Sequence, residues 1–495
     1  MTGLAPPKPA GAAQRAVTWR DTAFWAEVWV VSDWTIRLVM LGVVPMRRTP
    51  ASAMGWLLFI FLFPWVGLGT YLLIGSPLLP RARREQFARL GQLLQPVMTS
   101  LRAHPNVFHP VLEPDYQRAV TLAEKLGHLP ILGGNAAELL ADYDGVIDRL
   151  VTDIDQATDH AHLLFYIFDD DATGQRVIEA LSRAAARGVK CRVLIDTVGT
   201  GARTLRRLLP RMQAAGIQAS ETLPLGIFRR KAARFDLRNH RKIVVIDGRI
   251  GYAGSQNIVD ALGDDGLWND EMVIRVTGPA VLALQVCFVA DWYIETDEML
   301  ATPREFPDPV CPGTIPIQVL PSGPGFPVGN FQRLLVALVH GARHHIALTT
   351  PYLIPDDPLL QALHTAALRG VRVDIIVSRH GDSAVVRLAQ ESYYDELLEY
   401  GVRIHRYRER FLHGKHVTID DNIAVVGSGN MDIRSFRLNA EVTVVCYDSA
   451  VAGQLRAEAD RSISRSALLE PERWSARPLW RKVIQNAARL LSPML

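Results

Sequence analysis

The sequence Asn239-His240-Arg241-Lys242-Ile243-Val244-Val245-Ile246-Asp247 has a second copy, Phe411-Leu412-His413-Gly414-Lys415-His416-Val417-Thr418-Ile419-Asp420. Both copies read His-x-Lys, then four residues, then Asp. Seven residues after each Asp begins a small polar turn, Gly254-Ser255-Gln256-Asn257 in the first copy and Gly427-Ser428-Gly429-Asn430 in the second. A lone His-x-Lys is typical of a basic strand edge, but two copies with matching turns indicate a duplicated unit.

The segments around each motif alternate between strand and helix patterns. Short apolar runs predict strands, and apolar residues at helical spacing that end before a glycine predict helices. In the first copy the predicted order is strand 162–168, helix 173–187 and strand 191–196; in the second it is strand 346–350, helix 359–368 and strand 373–377. The predicted fold class is therefore α/β, with two similar halves that form a pseudo-dimer within one chain.

The motif spacing places functional groups on a common face. Side chains at i and i+2 of an extended chain point the same way, so His240 lies beside Lys242, and His413 beside Lys415. If the halves face each other, two imidazoles and two ammonium groups meet in one cleft, together with the side chains of Ser255, Asn257, Ser428 and Asn430. Many donors and little negative charge suit a phosphodiester, whose transition-state charge is stabilised by prepositioned cations. Such a site needs no acidic cluster to hold a metal.

The paired motif resembles the phospholipase D superfamily. Further stretches resemble the bacterial cardiolipin synthases within it, over about residues 29 to 495: Arg47–Leu58, Leu237–Lys242, Pro321–Pro327 and Ile433–Phe436. This resemblance implies two phospholipase D-like sandwich halves after an N-terminal membrane hairpin. It also implies a reaction without metal or cofactor, which joins two phosphatidylglycerol molecules into cardiolipin and glycerol.

The resemblance also implies roles for the motif residues. His240 is expected as the nucleophile and His413 as the general acid and base, although the reverse order stays open. Lys242, Lys415, Asn257 and Asn430 are expected to hold the phosphate, and Asp270 and Glu441 to orient the histidines. For Asp270 the neighbours Asp264, Asp265 and Glu271 are alternatives. Asp247 and Asp420 complete the motifs, and their positions after the strands favour structural ion pairs over contact with substrate.

Two apolar segments near the N-terminus predict a membrane hairpin at about 24–44 and 54–75. No residue from Thr49 to Pro80 is charged, and about 20 apolar residues suffice to span a bilayer. The first segment carries Glu27, Asp33 and Arg37, so it could instead lie in the interface. Basic residues flank the pair on the outside more than in its turn, which predicts a cytoplasmic catalytic part. The resemblance to bacterial cardiolipin synthases implies that the membrane is the bacterial inner membrane.

The remaining boundaries follow from composition. The predicted segments are a mobile tail (1–20), the hairpin (21–80), a helical connection (81–132), the first half (133–302), a Pro-rich linker (303–327), the second half (328–470) and an amphipathic C-terminal segment (471–495). Basic residues interleave with apolar ones in 227–235 and from Leu479 onward, which suits anionic lipid, with a nucleic-acid face or an ordinary docking helix as alternatives. The remaining histidines, among them His344, His345 and His416, are interpreted as structural or solvated.

Three other functions are compatible with parts of the pattern. A phospholipase D that uses water or another alcohol would share the mechanism, and a nuclease-like phosphodiesterase would share the motifs. The uncharged apolar run argues against a nucleic-acid substrate. A membrane scaffold with an inactive site is disfavoured because both His-x-Lys motifs are intact. The four cysteines, Cys191, Cys287, Cys311 and Cys446, are too widely separated to indicate a zinc site or a disulfide framework.

Overall fold

The computed structural model describes residues 19–48, 50–75, 81–224, 236–263, 266–381 and 383–492. It contains two compact units, Met1–Leu78 and Leu79–Leu495. The predicted N-terminal tail, apart from its last two residues, and the basic stretch 227–235 lie outside the described residues, as do Asp264 and Asp265.

The first unit is helical. Its elements are α1 (Trp19–Val43), α2 (Pro50–Leu62), α3 (Pro64–Thr70) and a π-helical turn (Tyr71–Gly75). The second predicted apolar segment is interrupted at Phe63, because Pro64 occupies the first turn of α3, where its missing N–H is tolerated. Among the residues that the structure describes, no helix combines the length and the apolar content needed to cross a membrane. The hairpin therefore stays a prediction.

The second unit begins with the helical connection that the sequence predicts. Its helices are α4 (Arg81–Leu93), α5 (Gln95–Arg102), α6 (Pro114–Gly127), α7 (Tyr143–Asp155), α8 (Ala172–Ala186), α9 (Ala202–Ala214), α10 (Val281–Thr296), α11 (Asn330–Gly341), α12 (Asp357–Leu368), α13 (Ala384–Ser392), α14 (Tyr394–Glu399), α15 (Ile433–Arg437), α16 (Ser449–Ser464), α17 (Pro471–Ser475) and α18 (Leu479–Arg489).

The strands alternate with these helices in both halves, as predicted. They are β1 (Leu132–Leu140), β2 (His160–Phe165), β3 (Lys190–Asp196), β4 (Gln218–Thr222), β5 (Ile243–Ile246), β6 (Ile250–Gly254), β7 (Asn269–Asp270), β8 (Val273–Thr277), β9 (Ile315–Ser322), β10 (His345–Thr350), β11 (Leu353–Ile354), β12 (Arg372–Ser378), β13 (Arg403–Tyr407), β14 (Phe411–Leu412), β15 (His416–Ile419), β16 (Ile423–Gly427), β17 (Met431–Asp432), β18 (Glu441–Cys446) and β19 (Ser466–Leu468).

Most of these strands form one sheet, in which the strands of the two halves are arranged symmetrically about the centre. The order is β19-β13-β12-β10-β15-β16-β18-β9-β1-β8-β6-β5-β2-β3-β4. The seam between the halves is the β9–β1 pair. Each strand of the first half that belongs to this sheet has a counterpart in the second half at the same distance from the seam, and β19, at the edge of the second half, has no counterpart among the described strands. The predicted pair of α/β halves is thereby confirmed, and the halves share a continuous sheet.

Strand β9 corrects one predicted boundary, because it lies inside the stretch 303–327 that composition assigned to a linker. It pairs antiparallel with β18 over six residues and with β1 across an irregular register. Prolines 316 and 321 suggested a linker, yet a proline keeps its carbonyl acceptor, and the Tyr447 N–H donates to the Pro316 carbonyl at 3.0 Å. The stretch therefore joins the halves within the sheet.

A hydrophobic core spans the seam. It packs buried residues of the first half, such as Leu164 and Ile274, with buried residues of the second, such as Val426 and Val444. Burial of such side chains contributes about 1.5–3 kcal/mol each. The shared core holds the two halves in a fixed relation, and this relation positions the site.

Candidate active site

Each motif histidine is attached by its backbone to the opposite half. The His240 N–H donates to the Ala440 carbonyl at 2.9 Å, and the Ala440 N–H donates to the Arg238 carbonyl at 2.9 Å. In the second motif, β14 pairs with β7, and the His413 N–H donates to the Asp270 carbonyl at 2.8 Å. These two short pairings repeat each other across the seam and bring both histidines to one place.

The carboxylate that contacts each imidazole also comes from the opposite half. Nδ1 of His240 lies 3.0 Å from a carboxylate oxygen of Glu441, and Nδ1 of His413 lies 2.6 Å from a carboxylate oxygen of Glu271. An ionised carboxylate accepts a hydrogen bond from Nδ1–H, so the proton of the neutral ring stays on Nδ1 and Nε2 is the basic nitrogen. Each half thus supplies the carboxylate that contacts the histidine of the other half, and these contacts fix the tautomers of both imidazole rings.

The turn serines hold the strands that carry these carboxylates. Ser428 Oγ donates to Glu441 at 2.5 Å and accepts the Val442 N–H at 3.0 Å, while Ser435 Oγ donates to the second Glu441 oxygen at 3.0 Å. In the other half, Ser255 Oγ accepts the Met272 N–H at 2.9 Å, next to Glu271. The predicted residues Ser255 and Ser428 thus serve to orient the carboxylates.

The two lysines are buried and lie on the same face as their histidines, as the spacing predicts. Lys242 Nζ donates to the His240 carbonyl at 2.8 Å, and Lys415 Nζ donates to the His413 carbonyl at 2.7 Å. Burial and the like charge of Lys415 lower the pKa of Lys242 to about 7. Lys415 affects the pKa of Lys242 because the motifs of the two halves lie in one cleft.

The carboxylates stay ionised despite their burial. Burial acts to raise the pKa of Glu441, but His240 and Lys242 outweigh it and lower this pKa to about 2. For Glu271 burial likewise acts upward, whereas His413 and Lys415 bring its pKa below the ordinary value. The site therefore holds two fixed negative charges, each hydrogen-bonded to an imidazole.

Both histidines favour the neutral form. Burial, opposed by Glu441 and assisted by Lys242, lowers the pKa of His240 to about 4. Burial also lowers the pKa of His413, with Glu271 opposing it. A bound anion would raise both values, because it stabilises a nearby positive charge.

The predicted asparagines and an aromatic ring complete the site. Asn257 and Asn430 are both buried; Asn257 Oδ1 accepts the Ile167 N–H at 3.1 Å, and the Asn430 N–H donates to Ser435 Oγ at 3.1 Å. The Tyr166 ring packs edge to face against His240, with 4.8 Å between ring centroids. The sequence analysis placed Tyr166 inside the predicted strand 162–168, which gave no signal of this contact.

Comparisons with known proteins agree with the division into two halves. The family model described as cardiolipin synthase, phospholipase D-like domain, matches residues 150–292 and 335–463, one match in each half. The cardiolipin synthase A proteins of Yersinia pseudotuberculosis (serotype O:1b, strain IP 31758) and Yersinia pestis are each 37% identical to this chain over 474 residues, which is 92% of this chain and 96% of the relative. The chain belongs to the cardiolipin synthase family of the phospholipase D superfamily.

Two further matches concern the N-terminal region and the fold. A phospholipase D-nuclease N-terminal model matches residues 34–76. The solved structure of a phosphatidylserine synthase from Haemophilus influenzae covers 76% of this chain and 100% of its own, with a TM-score of 0.58 and 16% identity. At that identity the likeness concerns the fold alone, which is the two-half α/β fold described above.

Within this cardiolipin synthase architecture, Asp270 does not orient a histidine, and that prediction was wrong. Asp270 accepts a hydrogen bond from the Tyr407 hydroxyl and pairs with Arg410 at 3.2 Å, whereas Glu271 contacts His413. A one-residue step along an extended chain reverses the direction of the side chain, so only one of the two can face the cleft. Glu441 does contact an imidazole, but it is that of His240 in the opposite half rather than that of the histidine in its own half.

The sequence did contain a signal for Glu271. Asn269-Asp270-Glu271 and Asn439-Ala440-Glu441 share their first and third residues, and alignment of these Asn-x-Glu triplets selects Glu271. The carboxylates lie 31 and 28 residues after the histidines of their own halves. The exchange between halves is a property of the assembled sheet that the spacing does not encode.

The motif aspartates Asp247 and Asp420 lie away from the imidazoles. Asp247 accepts the backbone N–H groups of Thr158, Asp159 and His160 at 2.8–2.9 Å. Asp420 accepts those of Arg343, His344 and His345 at 2.7–2.8 Å. Their partners are backbone N–H groups at the starts of β2 and β10 rather than the expected cations, and a structural role for both aspartates stays a prediction.

Proposed function

We propose that this chain condenses two phosphatidylglycerol molecules into cardiolipin and glycerol through a phosphatidyl-histidine intermediate. The observation that carries the proposal is a pair of histidines, His240 buried and His413 partly buried, each with an ionised carboxylate at Nδ1 and each beside a buried lysine. Two basic Nε2 atoms beside two ammonium groups suit an in-line exchange at a phosphodiester.

In the first step, Nε2 of His240 attacks the phosphorus of one phosphatidylglycerol. The P–N bond forms as the P–O bond to the headgroup glycerol breaks, and the protonated His413 gives its Nε2 proton to the leaving oxygen. Lys242 and Lys415 bind the phosphoryl oxygens, with Asn257 and Asn430 as further donors. The bound phosphodiester supplies the negative charge that raises the pKa of His413 and keeps this ring protonated.

In the second step, the now neutral His413 takes the proton of the terminal glycerol hydroxyl of a second phosphatidylglycerol. The hydroxyl oxygen attacks phosphorus, the P–N bond breaks, and His240 leaves as a neutral ring. Because the two steps together replace one phosphodiester bond by another, the overall reaction is near thermoneutral.

The first experiment incubates the purified protein with phosphatidylglycerol vesicles in the presence of a chelator and resolves the lipids by mass. Cardiolipin and free glycerol, both absent with His240→Ala or His413→Ala, are the expected products. Phosphatidic acid without cardiolipin would identify water as the acceptor and replace the proposal by a phospholipase D hydrolase. Binding of phosphatidylglycerol without turnover would indicate the scaffold.

The assignment of His240 as the nucleophile is supported by the low pKa of its ring, which keeps Nε2 unprotonated. The test traps the intermediate with phosphatidylglycerol labelled in its acyl chains, followed by acid-free digestion and mass analysis of the peptides. Adduct on the peptide that contains His240 is expected in the wild type and absent in His240→Ala. Adduct on the His413 peptide would reverse the roles.

We further propose that the first unit anchors the enzyme in the bacterial inner membrane, with the catalytic unit in the cytoplasm. Large apolar side chains of the first unit are exposed, including Trp25, Leu38, Leu58 and Leu72, each 64–68% exposed. The Arg37–Asp33 ion pair of 3.8 Å in α1 reduces the penalty for charge in an apolar phase.

The topology is tested with a membrane-impermeant maleimide on intact cells. A Met46→Cys variant carries its thiol at a residue that is 87% exposed, between α1 and α2, while the native Cys311 is exposed in the catalytic unit. Labelling of Met46→Cys in intact cells, and of Cys311 only after permeabilisation, is expected. Labelling of Cys311 from outside would place the catalytic unit in the periplasm.

A further inference from the structure

An open cavity of about 990 Å³ lies among α13, α17, α18 and the ends of β12 and β13. None of the described residues that line it belongs to the His-x-Lys motifs. They include seven arginines and one carboxylate, that of Glu391. Such an excess of one charge in a concave surface raises the local concentration of counter-ions.

Three of the seven arginines that line the cavity are paired with carboxylates. Arg406 pairs with Glu391 at 3.3 Å, Arg473 pairs with Glu470 at 2.9 Å, and Arg477 pairs with Asp395. Arg379, Arg387, Arg408 and Arg481 are exposed, and none of them forms an ion pair with a carboxylate of the described residues. Guanidinium groups grouped in this way bind phosphate oxygens in forked hydrogen bonds.

Helix α18 borders the cavity with an apolar outer face. Leu479, Trp480, Val483 and Ile484 are 75%, 61%, 59% and 45% exposed, while Gln485 and Ala488 on the other side are buried. An apolar stripe beside basic residues is typical of a helix that lies in the headgroup region of a membrane. We call α18 together with the arginines of the cavity the α18 surface.

The helix is fixed in this position by polar contacts. Gln485 Nε2 donates to Glu391 at 2.8 Å, and Arg477 Nε donates to Gln485 Oε1 at 2.8 Å. Arg477 also forms an ion pair with Asp395. Because both partners lie on or next to α13 and α14, the apolar face cannot turn inward without breaking this network.

We infer that the α18 surface docks on an anionic phospholipid bilayer. The arginines of the cavity bind lipid phosphates while the outer face of α18 inserts among the upper acyl carbons. Charge complementarity favours an anionic over a zwitterionic lipid surface. The four large apolar side chains favour lipid over nucleic acid, which offers no apolar phase. This inference goes beyond the reaction proposed above, because it concerns a surface without catalytic residues and holds for any acceptor.

The test places an environment-sensitive fluorophore on the outer face of α18 in the full-length protein. Val483→Cys is labelled in a Cys311→Ser background, since the other three cysteines are buried. The protein is reconstituted into nanodiscs of phosphatidylcholine with or without phosphatidylglycerol. We expect a blue-shifted emission and quenching by brominated acyl chains with phosphatidylglycerol, and neither change with phosphatidylcholine alone.

Charge reversal shows whether the cavity is responsible. Arg387→Glu with Arg481→Glu is expected to abolish the response to phosphatidylglycerol. The matched control is Arg249→Glu with Arg333→Glu, which reverses two exposed arginines outside the cavity and should preserve the response. A response that survives in the cavity variant, or is equal in both lipids, would overturn the inference.

Two ligand controls separate lipid from other anions. Inorganic phosphate or a single-stranded oligonucleotide, added to detergent-solubilised protein, should leave the emission unchanged. A blue shift with either would assign the surface to a soluble anion or a nucleic acid and reject bilayer docking. The fluorescence reports contact rather than turnover, so failure of the proposed reaction would leave this result interpretable.

Discussion

Asp270 and Glu271 are neighbours in sequence and differ in every contact that matters for catalysis. Glu271 contacts His413, whereas Asp270 contacts Tyr407 and Arg410. Glu271→Gln is expected to lower kcat by about 10³-fold, because an amide neither fixes the tautomer nor stabilises the imidazolium. Asp270→Asn is the matched control, and its kcat should stay within about threefold of wild type. Equal losses in the two variants would contradict the placement of Glu271.

The pH profile provides a second readout of the same substitution. The charge of Glu271 raises the pKa of His413 against the effect of burial. Without that charge the pKa of His413 falls further, so the protonated acid is lost at a lower pH. We expect the alkaline limb of kcat for the residual activity of Glu271→Gln to move toward acid, and the limb of Asp270→Asn to stay in place.

Lys242 gives a prediction for the free enzyme. Its pKa is lowered to about 7 by burial and Lys415, so the ammonium is present below that pH and lost as the pH rises through it. We therefore expect kcat/KM for phosphatidylglycerol to decline above about pH 7, with kcat less affected because bound phosphate raises the lysine pKa. In Lys242→Arg, which cannot lose its charge, the part of this decline due to Lys242 should disappear. A kcat/KM that stays constant to about pH 9 would contradict the assignment.

At the scale of elements, the close approach of β16 to β18 requires a glycine at 427. An added Cβ would lie 2.6 Å from the Val442 carbonyl oxygen, next to Glu441. Gly427→Ala should therefore displace β18, lower the free energy of unfolding by about 1–3 kcal/mol and reduce kcat. Gly453→Ala on α16 is the control, because nothing lies within 4 Å of its Cβ, and it should stabilise the protein by about 0.5–1 kcal/mol. Denaturant unfolding and activity assays of both variants test the difference.

Strand β15 carries a buried histidine where its counterpart β5 carries Ile243. Burial lowers the pKa of His416 to about 4, so the folded protein keeps the ring neutral while the unfolded chain protonates it near 6.5. Its contribution to stability is present above about pH 6.5 and is lost as the pH falls toward 4, by about 2 kcal/mol at pH 5. His416→Ile should remove this part of the acid destabilisation. Equal pH dependence of unfolding in wild type and variant would contradict the neutral buried ring.

The sequence predicted the elements better than their partners. Local patterns were sufficient for β2, α8 and β3, because period and length are local properties. Strand β9 was hidden by Pro316 and Pro321, since its pairing with β18 depends on residues more than a hundred positions away. Glu271 was only an alternative to Asp270 for a related reason: which of two adjacent carboxylates faces the cleft is decided by the pairing of β7 with β14.

For the whole molecule, the continuous sheet and the core across the seam predict cooperative behaviour of the catalytic unit. Val444→Ala on β18 should lower the stability of both halves together by about 0.5–2 kcal/mol, since Val444 packs with residues of each. Hydrogen exchange should accelerate in β2 and β10 to a similar extent. Faster exchange in the second half alone would show that the halves unfold independently.

The exchange of carboxylates has a consequence for the evolution of a duplicated chain. A substitution at Glu441 in one repeat disables the histidine of the other repeat, so neither repeat can decay while its sister stays functional. After a duplication, one copy usually keeps the original function while the other accumulates substitutions. This active site does not allow that outcome. Selection therefore acts on the two repeats together. A chimera that joins repeats from two relatives would be active only if each histidine kept its contact with the carboxylate of the other repeat.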